Sequence, residues 1–379
     1  MKFARVHLEN WRNFTSVDVH LQRRVFLAGP NASGKSNFLD AFRFLRDVAS
    51  VGGGLRKAVD DRGGVSKIRC LAARRYSDII IQVETGEDID NPNWAYFLRF
   101  SQDNLRRPVI KGEIVKKQRE IILARPDDDD KHDIERLTQT HLEQVSANKN
   151  FREVAEFFAS IHYIHIVPQL VREPDRSIGR KNDPYGGDFL EQLVRTPEKT
   201  LKSRLKRINN VFKVAVPQFI ELKLVRDEKG TPHLEGLYEH WRPKAGWQME
   251  DQFSDGTLRL LGLLWAVLDG TSPLLLEEPE LSLHPEVVRH VPQMFARLGR
   301  KTGRQIIVST HSVDLLQDSG IAPDEVLILN PGDEGTSVTN AKDDEQIIDL
   351  LESGITIADI VIPKTAPKNT SQLFLSFVE

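Results

Sequence analysis

A chain of 379 residues, 40% of them apolar and 28% charged, is long for one domain and short for several, which points to one large α/β domain with insertions. A formal net charge of −3 carries no global basic excess, so DNA contact would have to come from local patches. The lone Cys70 excludes an internal disulfide and fits a reducing cytoplasm. No apolar run opens the chain as a signal peptide would. The most apolar stretch, 258–268, is broken by Arg259 and too short to span a bilayer, so a soluble cytoplasmic protein without membrane contact is expected.

Apolar patterning predicts short strands over 3–8, 17–21 and 25–28. A Gly/Ser-rich turn at 29–34 follows, and then a helical pattern through Phe38, Leu39, Phe42 and Leu45. Further strands are expected at 79–83, 94–100 and 109–115. The acidic run 127–130 reads as a solvated loop tip, because like charges this dense repel and stay in water. From Ile134 through Leu137, His141, Val145, Phe151, Val154 and Phe158 the spacing predicts one long helix or a helical hairpin, with a break near 148–150. A strand is expected at 161–167, a basic helical region at 189–214, and a hairpin from 219–225 and 234–240. Beyond Thr257 helix and apolar strand alternate at 258–268, 274–276, 285–298, 305–309 and 326–329, a pattern of parallel βαβ units.

Four motifs carry chemistry. Residues 29–36, GPNASGKS, match the phosphate-binding loop G-x-x-x-x-G-K-[ST] between an expected strand and helix. In such a loop the backbone N–H groups of Gly29, Asn31, Ala32, Ser33 and Gly34 can face phosphate, Lys35 adds a point charge and Ser36 a hydroxyl for Mg²⁺. The second is LLLEEPE at 274–280, a buried strand ending in Glu277 and Glu278. One carboxylate there can reach Mg²⁺, and the next can orient and deprotonate the attacking water. Third, Ser254-Asp255-Gly256-Thr257 opens an apolar helix, where Ser254 or Asp255 can cap the helix and the end can also bind an anion. Fourth, a strand at 306–310 ends at His311. Such a histidine is commonly structural, but in this company it is a candidate to sense the γ-phosphate.

The order of phosphate loop, Gln169, Ser254–Thr257, Glu277–Pro285 and Ser309-Thr310-His311 resembles the ABC-type ATPases. The opening Leu8-Glu-Asn-Trp-Arg-Asn-Phe14 is similar to the start of RecF, SMC and OLD-type proteins, and further segments resemble small bacterial RecF-like "AAA" ATPases. The resemblance implies an ABC-type P-loop NTPase fold: an amino-terminal antiparallel β-subdomain, a parallel core sheet and an inserted helical subdomain. It implies ATP and Mg²⁺ as cofactors, with Ser36, Glu277 and Gln169 toward the metal. Glu278 would be the catalytic glutamate, and Gln169 and His311 its catalytic companions. Ser254 and Gly256 would form the signature loop that meets the γ-phosphate on the other protomer of a homodimer, and Arg12 would contact nucleotide. The signature departs from transporter ATPases at Asp255 and Thr257.

Within one ABC-type domain, 1–379, the expected division is a lobe with the phosphate loop at 1–125, an inserted region with Gln169 at 126–250, and a carboxyl-terminal lobe at 251–379. The basic run Arg195, Lys199, Lys202, Arg204, Lys206 and Arg207 offers a DNA-facing surface or simply a solvated helix face. A second basic cluster spans 106–119. The purpose stays open among three readings. One is a DNA-directed ATPase in phage defence or repair with a separate nuclease or toxin effector. A transporter subunit is disfavoured by the long separation of Lys35 and Ser254. The third is a slow nucleotide switch. The short chain beyond His311 leads us to expect no built-in nuclease domain, and assembly beyond a dimer is conceivable.

Overall fold

The structure is a computed structural model and describes residues 1–73, 77–173, 183–242 and 246–366. Its first strands are β1 (Lys2–Trp11), β2 (Phe14–His20), β3 (Arg24–Ala28), β4 (Ile79–Gly86), β5 (Trp94–Gln102), β6 (Pro108–Lys117), β7 (Glu120–Arg125) and β8 (His162–Ile164). There follow β9 (Phe219–Arg226), β10 (Pro232–Tyr238), β11 (Trp247–Met249), β12 (Leu274–Glu277), β13 (Ile306–Thr310), β14 (Val326–Gly332) and β15 (Gly335–Asn340).

These strands form an antiparallel sheet ordered β2-β1-β4-β5-β6-β7 and a second sheet ordered β15-β14-β3-β13-β12-β8. The second sheet is parallel except for its edge strand β15. A small antiparallel sheet, β11-β10-β9, completes the set. The mixed α/β architecture is that of an ABC-type P-loop NTPase.

Strand parity explains why the core-sheet strands read as continuous apolar runs. Leu27, Leu275 and Ile307 point to one face, where they join Phe38, Phe42 and Leu45 of helix Lys35–Ala49 and Phe3, Val6 and Leu8 of β1. Phe26, Leu274, Leu276, Ile306 and Val308 point to the other, onto helices Asp255–Leu268 and Pro285–Thr302. Both faces are buried, so no polar alternation is needed. The helix after the phosphate loop is thus clamped between two sheets, with Phe3 and Phe42 in edge contact at 4.7 Å. Gln305 ties the sheets directly: its amide accepts from the Phe3 N–H at 2.8 Å and donates to the Phe3 and Gln22 carbonyls at 2.8 and 2.9 Å.

Two expectations are corrected here. The acidic run is no solvated tip. Asp127 caps a short helix, Asp128–His132, and Asp130 is fully buried against Arg125 at 2.8 Å. The long helix or hairpin over 134–158 is also absent. Only Arg152–Ala159 is α-helical, preceded by 3₁₀ turns at Ile134–Thr138 and Asn148–Phe151. Leu142, Phe151, Val154 and Phe158 still pack on the core, so helical spacing arose from an irregular segment laid on a sheet. The basic region is two helices, Phe189–Arg195 and Glu198–Ala215, and the expected hairpin is β9–β10.

Candidate functional site

β3 stops at Ala28, and the loop 29–34 leads straight into the helix that starts at Lys35. Ala32 (φ 62°) and Gly34 (φ 98°) adopt left-handed conformations, which turn the backbone N–H groups inward. Gly34 caps the helix without any side-chain bond, and no acid occupies the first turn, so the helix end is left free for an anion. Glycine is required at 34 for a second reason: a Cβ there would sit 2.2 Å from Asn13 Nδ2. Asn13 buttresses the loop, donating to the Ser33 carbonyl at 2.9 Å and to Thr336 Oγ1 at 2.7 Å while accepting from Asn37 at 2.8 Å. Lys35 is buried and donates to the Gly29 and Pro30 carbonyls at 2.9 and 3.0 Å. Burial pulls the pKa of its ammonium down, and Glu278, Glu280 and Glu277 oppose that pull.

The acids stand at the carboxyl end of β12, where parallel sheets bind ligands. Glu277 accepts from the Ser36 hydroxyl through one oxygen and from the Tyr163 phenol through the other. Burial first, and Glu277 second, push the Tyr163 pKa up, while Arg43 lies 4.2 Å over its ring. Glu278 has φ 43°, strained for a residue with a side chain, and its N–H donates to the Ser309 carbonyl at 3.0 Å. Its carboxylate lies 3.1 Å from His311 Nδ1. Glu280 is buried, accepts from Thr310 Oγ1 at 2.5 Å, and is pushed up in pKa by burial. Three neighbouring acids therefore face three surroundings.

Ser254 caps helix Asp255–Leu268, accepting from the Thr257 N–H at 3.1 Å. A Cβ on Gly256 would come 2.4 Å from the Ser282 carbonyl, so glycine lets the helix end approach the segment after Glu280. Asp255 accepts from Arg172 at 2.6 Å, and Arg172 also reaches the Phe253 carbonyl at 2.7 Å. Arg172 closes the short helix Pro168–Arg172, which carries exposed Gln169 just beyond β8. Arg12 (φ 55°) sits beside Asn13 but directs its guanidinium to Asp40 at 3.0 Å and the Lys67 carbonyl at 3.2 Å.

The structure thus brings together Lys35, Ser36, Glu277, Glu278 and His311, and sets Ser254 and Gly256 against Thr257 and Ser282. Sequence reasoning gave no role to Asn13, Tyr163, Arg172 or Glu280, although the opening Asn-Trp-Arg-Asn-Phe motif contains Asn13 and the LLLEEPE motif contains Glu280. Among the basic residues, Arg204 is corrected: it is largely buried, paired with Asp269 at 2.8 Å and stacked on Trp265, so it faces no ligand. Arg195 and Lys202 pair with Glu191 and Glu198 within their own helices. In the second basic cluster, Arg107 pairs with Asp103 and Glu135, and Lys117 lies over Trp94.

The donor set fits Mg²⁺: a hydroxyl and a carboxylate, both hard oxygen ligands, already in contact. No helix among the described residues is long and apolar enough to cross a membrane.

Comparison with known proteins finds partial matches in sequence and fuller ones in fold. The methionine import ATP-binding protein MetN of Xanthomonas oryzae pv. oryzae (strain MAFF 311018) is 27% identical over 181 residues, 41% of this chain and 50% of that protein. The chain therefore spans about half the length of this curated relative. Endonuclease GajA of Bacillus cereus (strain VD045) is 45% identical over 47 residues, 12% of this chain and 8% of that protein. The fold is similar to an SMC head bound to the C-winged helix domain of ScpA, with TM-score 0.58, 13% identity, and coverage of 89% of this chain and 98% of that one. It is also similar to the SMC head with an extended coiled coil from Pyrococcus furiosus, with TM-score 0.55, 12% identity, and coverage of 92% and 99%. A family model described as "AAA domain, putative AbiEii toxin, Type IV TA system" matches residues 24–317. The chain belongs to this AAA_21 family of P-loop ATPases, and its fold is that of SMC head domains.

Proposed function

We propose that the chain hydrolyses ATP with Mg²⁺ at a site completed by a second copy, and that it drives a DNA-directed system, most simply phage defence, with a separate nuclease or toxin effector. The observation that carries the reading is the division of the two adjacent acids, Glu277 onto Ser36 and Glu278 onto His311, beside Lys35. Ser36 and Glu277 would hold Mg²⁺, which neutralises charge building on the phosphates. Loop N–H groups and Lys35 bind and orient the phosphates. Glu278 takes a proton from the attacking water, with His311 beside it to hold that carboxylate and meet the γ-phosphate. Gln169, exposed on the helix beyond β8, would orient water and metal, and Arg12, held by Asp40 at 3.0 Å, would contact the nucleotide. Ser254 and Gly256 face outward to the partner's nucleotide, so ATP favours the closed dimer and hydrolysis releases it.

The defence reading draws support from the description of the family and from the short stretch similar to an endonuclease. The decisive test is Glu278→Gln. It should retain ATP affinity, lose turnover by roughly 100-fold or more and accumulate as a dimer on sizing with ATP. A Glu278→Gln protein that turns over normally would falsify the catalytic assignment, and one that stays monomeric with ATP at high concentration would refute the sandwich.

A further inference from the structure

Ser36 takes one carboxylate oxygen of Glu277, and Tyr163, which lies outside all four motifs, takes the other. Tyr163 is the middle residue of β8, level with Leu275 on the neighbouring strand β12. Leu275 and Glu277 share a face of the sheet, and Glu277 stands two residues further along, roughly 6.6 Å. A phenol spans that distance as one rigid ring, and its hydroxyl donates to Glu277 Oε2. The same strand end also touches the Glu277 backbone, with His165 Nδ1 3.2 Å from its carbonyl oxygen.

The ring has little freedom. Tyr163 is 4% exposed and belongs to the core cluster that includes Leu275. Arg43 lies 4.2 Å over its face and comes from the helix that opens with Lys35 and Ser36. Both hydroxyls on Glu277 are therefore set by one helix, Ser36 directly and Tyr163 through Arg43. Asp40 of that helix stands 3.9 Å from Arg43 and also takes Arg12 at 3.0 Å and Arg62 at 2.8 Å. Packing accounts for a buried ring but not for its hydroxyl, since phenylalanine would fill the same space. A buried hydroxyl needs an acceptor, and here the acceptor is the carboxylate assigned above to Mg²⁺.

We infer that Tyr163 is a positioning residue for the metal: its hydroxyl engages one oxygen of Glu277 and leaves the oxygen beside Ser36 to serve the cation. The inference rests on the ATP and Mg²⁺ reading above and adds a determinant of the ion's affinity and identity. An acid limited to one oxygen suits Mg²⁺, which demands a near-ideal octahedron, whereas Ca²⁺ readily takes a carboxylate through both oxygens. Hydrogen-bond partners behind a metal ligand change metal affinity by about 10- to 100-fold.

The test is equilibrium binding of mant-ADP, a fluorescent nucleotide, to the full chain in EDTA and then during titration with Mg²⁺ or Ca²⁺. Tyr163→Phe keeps the ring and removes only the hydroxyl. It should bind mant-ADP in EDTA as the wild type does and need roughly 10-fold more Mg²⁺ for the half-maximal metal response. The Ca²⁺ response should shift less, so the preference for Mg²⁺ narrows. An unchanged Mg²⁺ response in Tyr163→Phe overturns the inference, and so does a tighter one, which would make the hydroxyl a competitor of the ion. Equal loss for the two ions overturns the single-oxygen role. Weaker mant-ADP binding in EDTA overturns it too, because the hydroxyl would then support the phosphate site as a whole. A wild type that binds mant-ADP but ignores Mg²⁺ refutes the metal assignment of Ser36 and Glu277 itself, and the role of Tyr163 falls with it.

Discussion

Arg172 Nη2 lies 2.6 Å from Asp255 Oδ1 and 2.7 Å from the Phe253 carbonyl, so the short helix that carries Gln169 holds the amino-terminal end of helix Asp255–Leu268. This pair gives Asp255 a purpose where transporter ATPases have glycine. It also connects Gln169, proposed to face one nucleotide, to the loop proposed to face the other. Arg172→Ala should reduce turnover about 10-fold, with Asp255→Ala matching it and the double variant adding little. The check is a double-mutant cycle on kcat and KM for ATP. Additive losses would mean that the two residues act separately.

Sharing of the site makes its own prediction. Ser254→Arg places a bulky cation where Ser254 would meet the partner's phosphate, and Lys35→Ala removes the phosphate ligand in the same chain. Each variant alone should be inactive. An equal mixture should recover at most about a quarter of wild-type turnover, because half the dimers are mixed and each holds one intact site of two. A Ser254→Arg protein as active as the wild type would show that no partner serine is needed.

Stability should depend on a buried charge network built on β6 and β7 of the antiparallel sheet. Arg125, Glu113 and Asp130 have fully buried side chains, with Arg125 3.0 Å from Glu113 and 2.8 Å from Asp130. Burial pushes the pKa of Glu113 up despite Arg125 and the His141 and Leu142 N–H groups. Burial acts the same way on Asp130, but bonds from Arg125, the Asp127 N–H and Arg136 outweigh it and hold that carboxyl well below the usual range. Arg125→Ala leaves Glu113 without its cation and Asp130 with Arg136 alone, and should cost about 3–5 kcal/mol, read as a lower urea midpoint. Arg125→Met with Glu113→Gln and Asp130→Asn should recover part of that loss. If the triple variant is no better than the single one, packing of the arginine stem matters more than charge.

The phosphate loop, the two acids and the closing histidine were legible because each is a local pattern at the end of a strand. Their supports were not, because those contacts join distant segments: Asn13 reaches Thr336 across 323 positions and Tyr163 reaches Glu277 across 114. The acidic run misled for the opposite reason. Counting like charges says nothing of Arg125, which lies only five positions before Asp130. At 134–158 the apolar spacing recorded which side chains meet the sheet, but 3₁₀ turns can present the same side chains as a helix. The parallel strands fared better, since burial on both faces leaves a plain apolar run.

One histidine links the pH dependence of stability to the far end of the core sheet. His162 opens β8, its N–H donating to the Pro273 carbonyl at 2.9 Å. Burial lowers its pKa from the ordinary 6.5 to about 4; Arg304 and Arg46 act in the same sense, and Asp269 opposes them. The unfolded chain therefore binds the proton first as pH falls, so this group's stabilisation is complete above about pH 6.5 and is lost progressively down to about pH 4. The loss should reach about 2 kcal/mol by pH 4.5. His162→Gln, neutral throughout, should lack this component while keeping the carboxylate contributions common to both proteins. Urea unfolding at pH 7.5 and pH 4.5 measures the difference directly. Equal pH dependence in the two proteins would mean that His162 keeps its proton in the fold, paired with Asp269.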